Sequence, residues 1–399
     1  MTSDTPGPVQ PLRDVRVVDL TRILAGPYAS MVLGDLGADV VKVERPGKGD
    51  DTRQWGPPFV DGTASYYTAV NRNKRSIAID LKRRAGREIV HRLLGDADVV
   101  VSNFSPGVME RLGLDGERLM KLFPRLICCT VTGHPPDDER RHLPSFDLVI
   151  QAETGLMDLT GAAEGPPTKV GISIADELAG LYLVQGVLAA LYQRERTGEG
   201  LAVNVALNEA MLSAFTYQAQ NYLAGGVAPR RMGNEHPSLV PYRAYQAADG
   251  DLVVGVANEG QWQRFCGAIE RPEIAADERF AANTQRVNHR DVLEPILEAR
   301  LMERSCREWI TAFHAANVPC GPVRTTGEAL DDEIERATGL IADAGDGVPL
   351  VGSPIWFGGR RSVLRRPAPG LGEHTDEVLL EIGIEPEEIA TFRRQGVVA

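Results

Sequence analysis

The sequence predicts an α/β protein in which a smaller α+β domain is inserted into a larger one. Three observations carry that expectation. The chain opens with a β-branched run, an apolar-periodic stretch and a second β-branched run, at Val15–Leu20, Tyr28–Leu36 and Ala38–Glu44, which is a β-α-β pattern. Past the Gly225-Gly226 break the texture changes, and Asp249-Gly250 stands between two strand-like runs as a hairpin signal. A loop-rich return, "VPLVGSPIWFGG", follows. The large domain is therefore placed at 1–229 with a returning segment at 326–399, and the small domain at 230–325.

Taken in order, the first strand "VRVVDL" runs through the turn "TRILAGP" into a helix, and "ADVVKVE" is the second strand. The opening is Rossmann-like, with Glu44 where a ribose-binding acid would stand. The first turn, however, has no G-x-G-x-x-G, only Gly26-Pro27 and a Gly34/Gly37 pair, so a dinucleotide pyrophosphate has no close approach. After Arg45 a Gly/Pro/Asp-rich loop leads to "NRNKRSIAIDLK", a basic cluster entering an alternating strand. Lys74, Arg75 and Lys82 read as a solvated face or as a local phosphate site. A helix to about Leu94, the strand "DADVVVSNF" and the buried strand "PRLICCTVTG" come next, then a polar connection over 133–146.

With 43% hydrophobic and 25% charged residues among 399, the chain reads as a soluble globular protein. A net charge of −12 and a pI near 5.2 argue against a nucleic-acid partner, while leaving room for one local anion pocket. Five cysteines without CxxC spacing read as reduced core residues of a cytoplasmic protein, and seven scattered histidines suggest no metal. "MTSDTPGPVQ" has neither a basic nor an apolar region and reads as a short disordered tail. The run Leu178–Tyr192 falls short of the roughly 20 residues a membrane span needs, so it reads as a buried helix.

That helix is entered at Asp176, where the extended segment Lys169–Ile174 ends. An acid there suits two roles. It can cap the free N–H groups of the first turn, or it can be a carboxylate nucleophile toward an acyl carbon. Spacing leaves both open.

Five blocks in order, "VRVVDLTRILAGPYASMVLGDLGADVVKVERPGKGDDTR", "NRNKRSIAIDLK", "VSNFSPGVMERLGL", "GPPTKVGISIADELAG" and "LGEHTDEVL", resemble the family III CoA-transferases, the CaiB/BaiF group. The group also includes the α-methylacyl-CoA racemases. The resemblance implies that Asp176 is the catalytic carboxylate, forming an aspartyl anhydride and then an aspartyl-CoA thioester. It implies that Arg45, Ile79, Lys82, Asn103, Phe104 and Arg111 contact CoA. It further implies an interlocked homodimer, with acyl-CoA and a small carboxylic acid as substrates and no tightly bound cofactor.

Departures narrow the substrate. Leu24 stands where formyl-CoA enzymes carry a Gln, and "MGNEHPSLVPY" replaces their glycine run. The text from Gly233 onward is more similar to members using succinyl-CoA or another dicarboxylyl-CoA. A diacid needs a cation for its remote carboxylate, and Arg53, Arg72 and His236 are candidates. A racemase is the alternative; it needs a second base, and Phe146 occupies the position of the His it would use, with His134 and His142 out of register. A CoA-binding protein without catalysis would not need Asp176.

Overall fold

The structure is a computed structural model that describes residues 9–399; the N-terminal stretch expected as a tail lies almost wholly outside the described residues. The chain divides into two compact units. The larger holds the residues up to Thr154, Val170–Gln220 and Glu333–Ala399, and the smaller holds Gly155–Lys169 and Asn221–Asp332. The smaller unit is thus wider than the 230–325 read from the sequence. Its added segment is tied in by Gly233 N–H donating to Gly161 O at 3.0 Å and by Arg231 pairing with Asp158 at 2.7 Å.

In the larger unit six strands, β1 (Arg16–Asp19), β2 (Asp39–Glu44), β3 (Lys74–Ala78), β4 (Val99–Ser102), β5 (Ile127–Thr132) and β6 (Ala202–Ala206), form one sheet. Their order is β3-β2-β1-β4-β5-β6 and every pairing is parallel. Valines dominate the central strands because both faces are covered: Val17, Val18, Val40, Val41 and Val99–Val101 are all buried. The order reverses between β1 and β4. In open parallel sheets the crevice beyond the strand ends at such a reversal is where ligands bind. Here that crevice is framed by Thr21-Arg22 after β1 and Asn103-Phe104 after β4.

Four helices matter for the site: α1 (Ala25–Asp35), α2 (Arg84–Gly95), α3 (Asp147–Glu153) and α4 (Ile174–Thr197). Ile89, Val90, Leu93 and Leu94 of α2 pack on the sheet in one core with Val378, Leu379 and Val398 of the C-terminal return. That return fixes the end of β3, since Asp80 N–H donates to Val397 O at 2.8 Å.

Helix α4 starts at Ile174, earlier than the sequence suggested, and by length and composition it could cross a membrane. It buries Ala179, Leu183, Val184 and Val187 in the larger unit. It also packs tightly on α1: a Cβ at Gly180 would lie 2.9 Å from the Ala25 carbonyl oxygen and 3.0 Å from the Tyr28 ring.

The smaller unit has an antiparallel sheet, β7 (Tyr242–Gln246), β8 (Asp251–Gly255) and β9 (Cys320–Pro322), in the order β9-β8-β7. The turn at Asp249-Gly250 joins β7 to β8 as the sequence indicates. Trp262, Phe265, Trp309 and Phe313 are fully buried and stack in series.

The α1–α4 contact gives a direct test. Alanine at position 180 gains about 0.5–1 kcal/mol of helix propensity but must push backbone off backbone, a strain of typically 1–3 kcal/mol. Gly180→Ala is therefore expected to lower the urea midpoint, and Gly180→Val to lower it further. A midpoint equal to wild type in both would contradict the packing.

Candidate active site

Asp176 is the third residue of α4, not its N-cap. The N-cap position is Ser173, which makes no capping side-chain bond. The capping is done from elsewhere in the chain. Asp147, at the start of α3, accepts the Ala175 N–H at 2.8 Å and the Gln151 side-chain N–H at 2.6 Å. Gln151 in turn accepts the Val170 N–H at 2.9 Å and donates to Ile172 O at 3.3 Å. This buried clamp holds the chain entering α4.

With the cap supplied by Asp147, the Asp176 carboxylate has no hydrogen-bond partner among the described residues. It lines a cavity of about 170 Å³ with Leu24, Phe104, Phe146 and Leu207. Burial, then the charges of Asp147 and Glu177, push its pKa up to about 7. Half-buried Tyr66, pushed up by burial, bonds to Ser173 and feels the Asp176 charge.

Beside it lies a cavity of about 340 Å³, and here the CoA-contacting candidates converge. Arg45, Ile79, Lys82, Phe104 and Arg111 all line it. Asn103 lines the Asp176 cavity and locks the turn after β1, accepting the Arg22 N–H at 2.9 Å and donating to Arg22 O at 2.6 Å. Phe104 and Ser105 line both cavities. Arg45, Lys82 and Arg111 are exposed and pair with no carboxylate among the described residues. Three uncompensated cations around one cavity in an acidic chain make a local anion site.

Other sequence candidates are spent on structure. Lys74 is fully buried, pairing with Asp19 at 3.2 Å and donating to Pro27 O at 2.9 Å. Arg75 is held by Asp39, Glu377 and Glu381 at 2.6–2.8 Å. Neither can serve as a phosphate site; only Lys82 of that cluster faces a cavity. Arg53 is clasped by Glu44 at 2.7 Å and by the Tyr67 hydroxyl at 2.6 Å. Arg72 forms a bidentate pair with Asp35. Neither guanidinium is available to a diacid. His236 belongs to the smaller unit, edge-on to Tyr242 at 5.2 Å.

Phe146, where a racemase would carry its base, puts an aromatic ring on the Asp176 cavity. His134 is buried against Glu153 at 2.9 Å. His142, out of register in sequence, does line the cavity wall. A third cavity of about 550 Å³ adjoins the others and holds Cys128 and Cys129. Burial pushes both thiols up, Cys128 to about 12, so it offers no thiolate nucleophile.

Sequence reasoning missed Asp147, Gln151 and Arg22. The spacing of Asp147 and Gln151 marks an i,i+4 pair, but their real partners lie at 170–175 and leave no local pattern.

Beneath the turn after β1 sits a buried ionic network. Lys42 donates to Thr21 O at 2.8 Å and pairs with Asp50 at 3.1 Å, and Asp50 accepts the Ile23 N–H at 3.2 Å. Asp19 is buried, which would raise its pKa, yet Lys74, Lys42 and the Ser30 and Thr21 hydroxyls hold it down to about 2. The network fixes the Thr21–Ala25 segment, and so the Leu24 wall of the Asp176 cavity.

A profile for CoA-transferase family III matches residues 12–375. The chain is 40% identical over 390 residues to a succinate–glutarate CoA-transferase of Agrobacterium fabrum, covering 95% of this chain and 98% of that one. It is 38% identical over 378 residues to the succinyl-CoA:glutarate CoA-transferase of Mus musculus, covering 94% and 87%. A crystal structure of a CaiB/BaiF family protein from Brucella suis superposes with a TM-score of 0.82 at 40% identity, covering 92% of this chain and 98% of that one.

The raised Asp176 pKa sets two outcomes. The folded state holds this proton to about pH 7 and the unfolded chain only to about 3.8, so its contribution to stability falls as pH rises between those values. Asp176→Asn should therefore stabilise the protein by about 1–3 kcal/mol at pH 8, allowing for partial solvent exposure, and by little at pH 4; equal gains at both would contradict the shift. Reactivity of the carboxylate should rise with pH through about 7. In Asp147→Asn that midpoint should move lower, because one repelling charge is gone.

Proposed function

The chain belongs to CoA-transferase family III, and on that premise we propose that it moves CoA from succinyl-CoA or another dicarboxylyl-CoA to a free carboxylic acid, with Asp176 as covalent carrier. The observation that carries this reading is an uncapped carboxylate with a raised pKa, next to an anion cavity lined by three unpaired cations. The names of the two relatives motivate the choice of donor.

In this mechanism Arg45, Lys82 and Arg111 hold the phosphates of CoA, while Ile79 and Phe104 contact its less polar parts. The tail passes Phe104 and Ser105 and delivers the thioester to Asp176. A carboxylate oxygen of Asp176 attacks the acyl carbon, the C–S bond breaks and CoA leaves as thiolate. The thiolate attacks the Asp176 carbonyl of the mixed anhydride, and the donor acid departs as carboxylate with one Asp176 oxygen. An acceptor carboxylate then attacks the aspartyl-CoA thioester, CoA leaves again, and it returns to the acceptor's acyl carbon, regenerating Asp176. Protons and electrons balance throughout, so no redox cofactor or metal is required. A carboxylate is a weak nucleophile, and holding it against a bound thioester supplies the effective concentration it needs.

We further propose that the protein acts in the cytoplasm as an interlocked homodimer, without a nucleic-acid or membrane partner. Leu181, Leu188 and Tyr192 of α4 are 40, 39 and 62% exposed along one stripe of the helix. A second chain would remove that stripe from water. Static light scattering at the dimer mass supports this, and a monomer refutes it. The five cysteines are free, which suits a reducing compartment.

The transfer itself is tested by incubating the protein with succinyl-CoA and hydroxylamine and mapping the adduct by mass spectrometry. A hydroxamate at Asp176, absent in Asp176→Ala, supports the proposal. Exchange of the α-proton of a 2-methylacyl-CoA without CoA transfer would replace it with the racemase alternative. Alanine at Arg45, Lys82 or Arg111 should each raise KM for acyl-CoA by about 10-fold or more, the loss of one charge-assisted hydrogen bond.

A further inference from the structure

Arg141 is a cation lining the Asp176 cavity. It sits on a short 3₁₀ turn, Glu139–His142, in the connection between β5 and α3. That connection is pinned at several points. Arg140 pairs with Asp138 at 2.7 Å and approaches Glu153 at 3.6 Å, and His134 bonds to the same Glu153 at 2.9 Å. Ser145 crosses back over Gly133, where a Cβ would collide with the Ser145 side chain. Arg140 is thus spent on carboxylates of its own neighbourhood, while Arg141 lines the Asp176 cavity where it meets the 550 Å³ one. Its guanidinium is exposed and pairs with no carboxylate among the described residues, unlike Arg53, Arg72 and Arg75.

The remaining wall is mixed, with Asn103, Thr132 and His142 among its polar members and an apolar strip beside them. Leu24, Ala25, Val131, Phe146 and Leu207 make up that strip, and Asp176 is the acid facing the same space. A linear diacid matches this layout: one carboxyl at Asp176, methylenes along the apolar strip, and a second carboxylate at the guanidinium fork. A monocarboxylate would leave the guanidinium unpaired at the same point.

We propose that Arg141 receives the remote carboxylate of the acyl group, so that the Asp176 cavity selects linear α,ω-dicarboxylates over monocarboxylates of equal length. The inference rests on the transferase reading above. In that sequence of steps the donor acid leaves before the acceptor enters, so one receptor serves both. Arg141 therefore acts on donor and acceptor alike.

The test compares wild type, Arg141→Gln and Arg141→Lys in two measurements. In the first, kcat/KM is determined with glutarate and with valerate as acceptors. The glutarate/valerate ratio should fall about 10- to 100-fold in Arg141→Gln, as for loss of a charge-assisted contact, and recover in part in Arg141→Lys. In the second, calorimetric titration of glutarate into the protein without CoA should show binding that weakens by a similar factor in Arg141→Gln. The titration does not depend on turnover, so a wild type that binds glutarate but transfers no CoA would sink the transferase reading and leave the Arg141 assignment standing. An unchanged ratio with unchanged glutarate affinity overturns the assignment. So does a rise in KM for acyl-CoA with no change in the ratio, which would place Arg141 on the CoA phosphates.

Discussion

The Ala175 N–H donates to the Asp147 carboxylate at 2.8 Å, and the site depends on that hydrogen bond. A helix start presents free N–H groups that some acceptor must satisfy. Were Asp176 that acceptor, its charge would be spread over hydrogen bonds, its pKa would drop and its nucleophilicity with it. Because Asp147 takes the role from another helix, both Asp176 oxygens stay free of the helix start. The same Asp147 charge, added to burial, pushes the Asp176 carboxyl up. One residue thus frees the Asp176 carboxylate and tunes it.

A second constraint acts from the opposite wall. The turn after β1 is suspended over buried Lys42, Lys74, Asp19 and Asp50. Charges this deep give little net stability, but removing one partner leaves another stranded. Their effect is to hold Thr21, Ile23 and Leu24 in place while α1 presses against Gly180 of α4. The two helices that carry walls of the Asp176 cavity approach closely at Gly180, against the Ala25 carbonyl and the Tyr28 ring.

Much of this was legible in the sequence. The β-α-β opening, the hairpin at Asp249-Gly250 and the helix after Asp176 follow from local periodicity and turn chemistry, which a chain displays openly. The cavity candidates Arg45, Ile79, Lys82, Phe104 and Arg111 came from motif blocks and converge on one cavity. What stayed hidden is pairing over long separations. Lys74 and Lys82 look alike in one basic cluster, yet Lys74 reaches Asp19, 55 residues away, and Lys82 faces a cavity. Arg75 is claimed by Glu377, 302 residues on. Arg53 and Arg72 are lost to a diacid for the same reason, while Arg141, one cation in a polar connection, carries no sequence signal. Burial and partner choice decide which cations are free, and neither has a local signature.

The claim that Asp176 is the covalent carrier is tested most directly by oxygen transfer. Each turnover of the proposed sequence gives one Asp176 oxygen to the departing donor acid and takes one from the acceptor carboxylate. Turning the protein over with succinyl-CoA and an acceptor labelled with oxygen-18 in its carboxylate, then mapping peptides by mass spectrometry, follows that oxygen. The account predicts label in the side chain of Asp176 and in the released succinate, with no other residue labelled. Turnover that forms the new acyl-CoA while Asp176 stays unlabelled would contradict it.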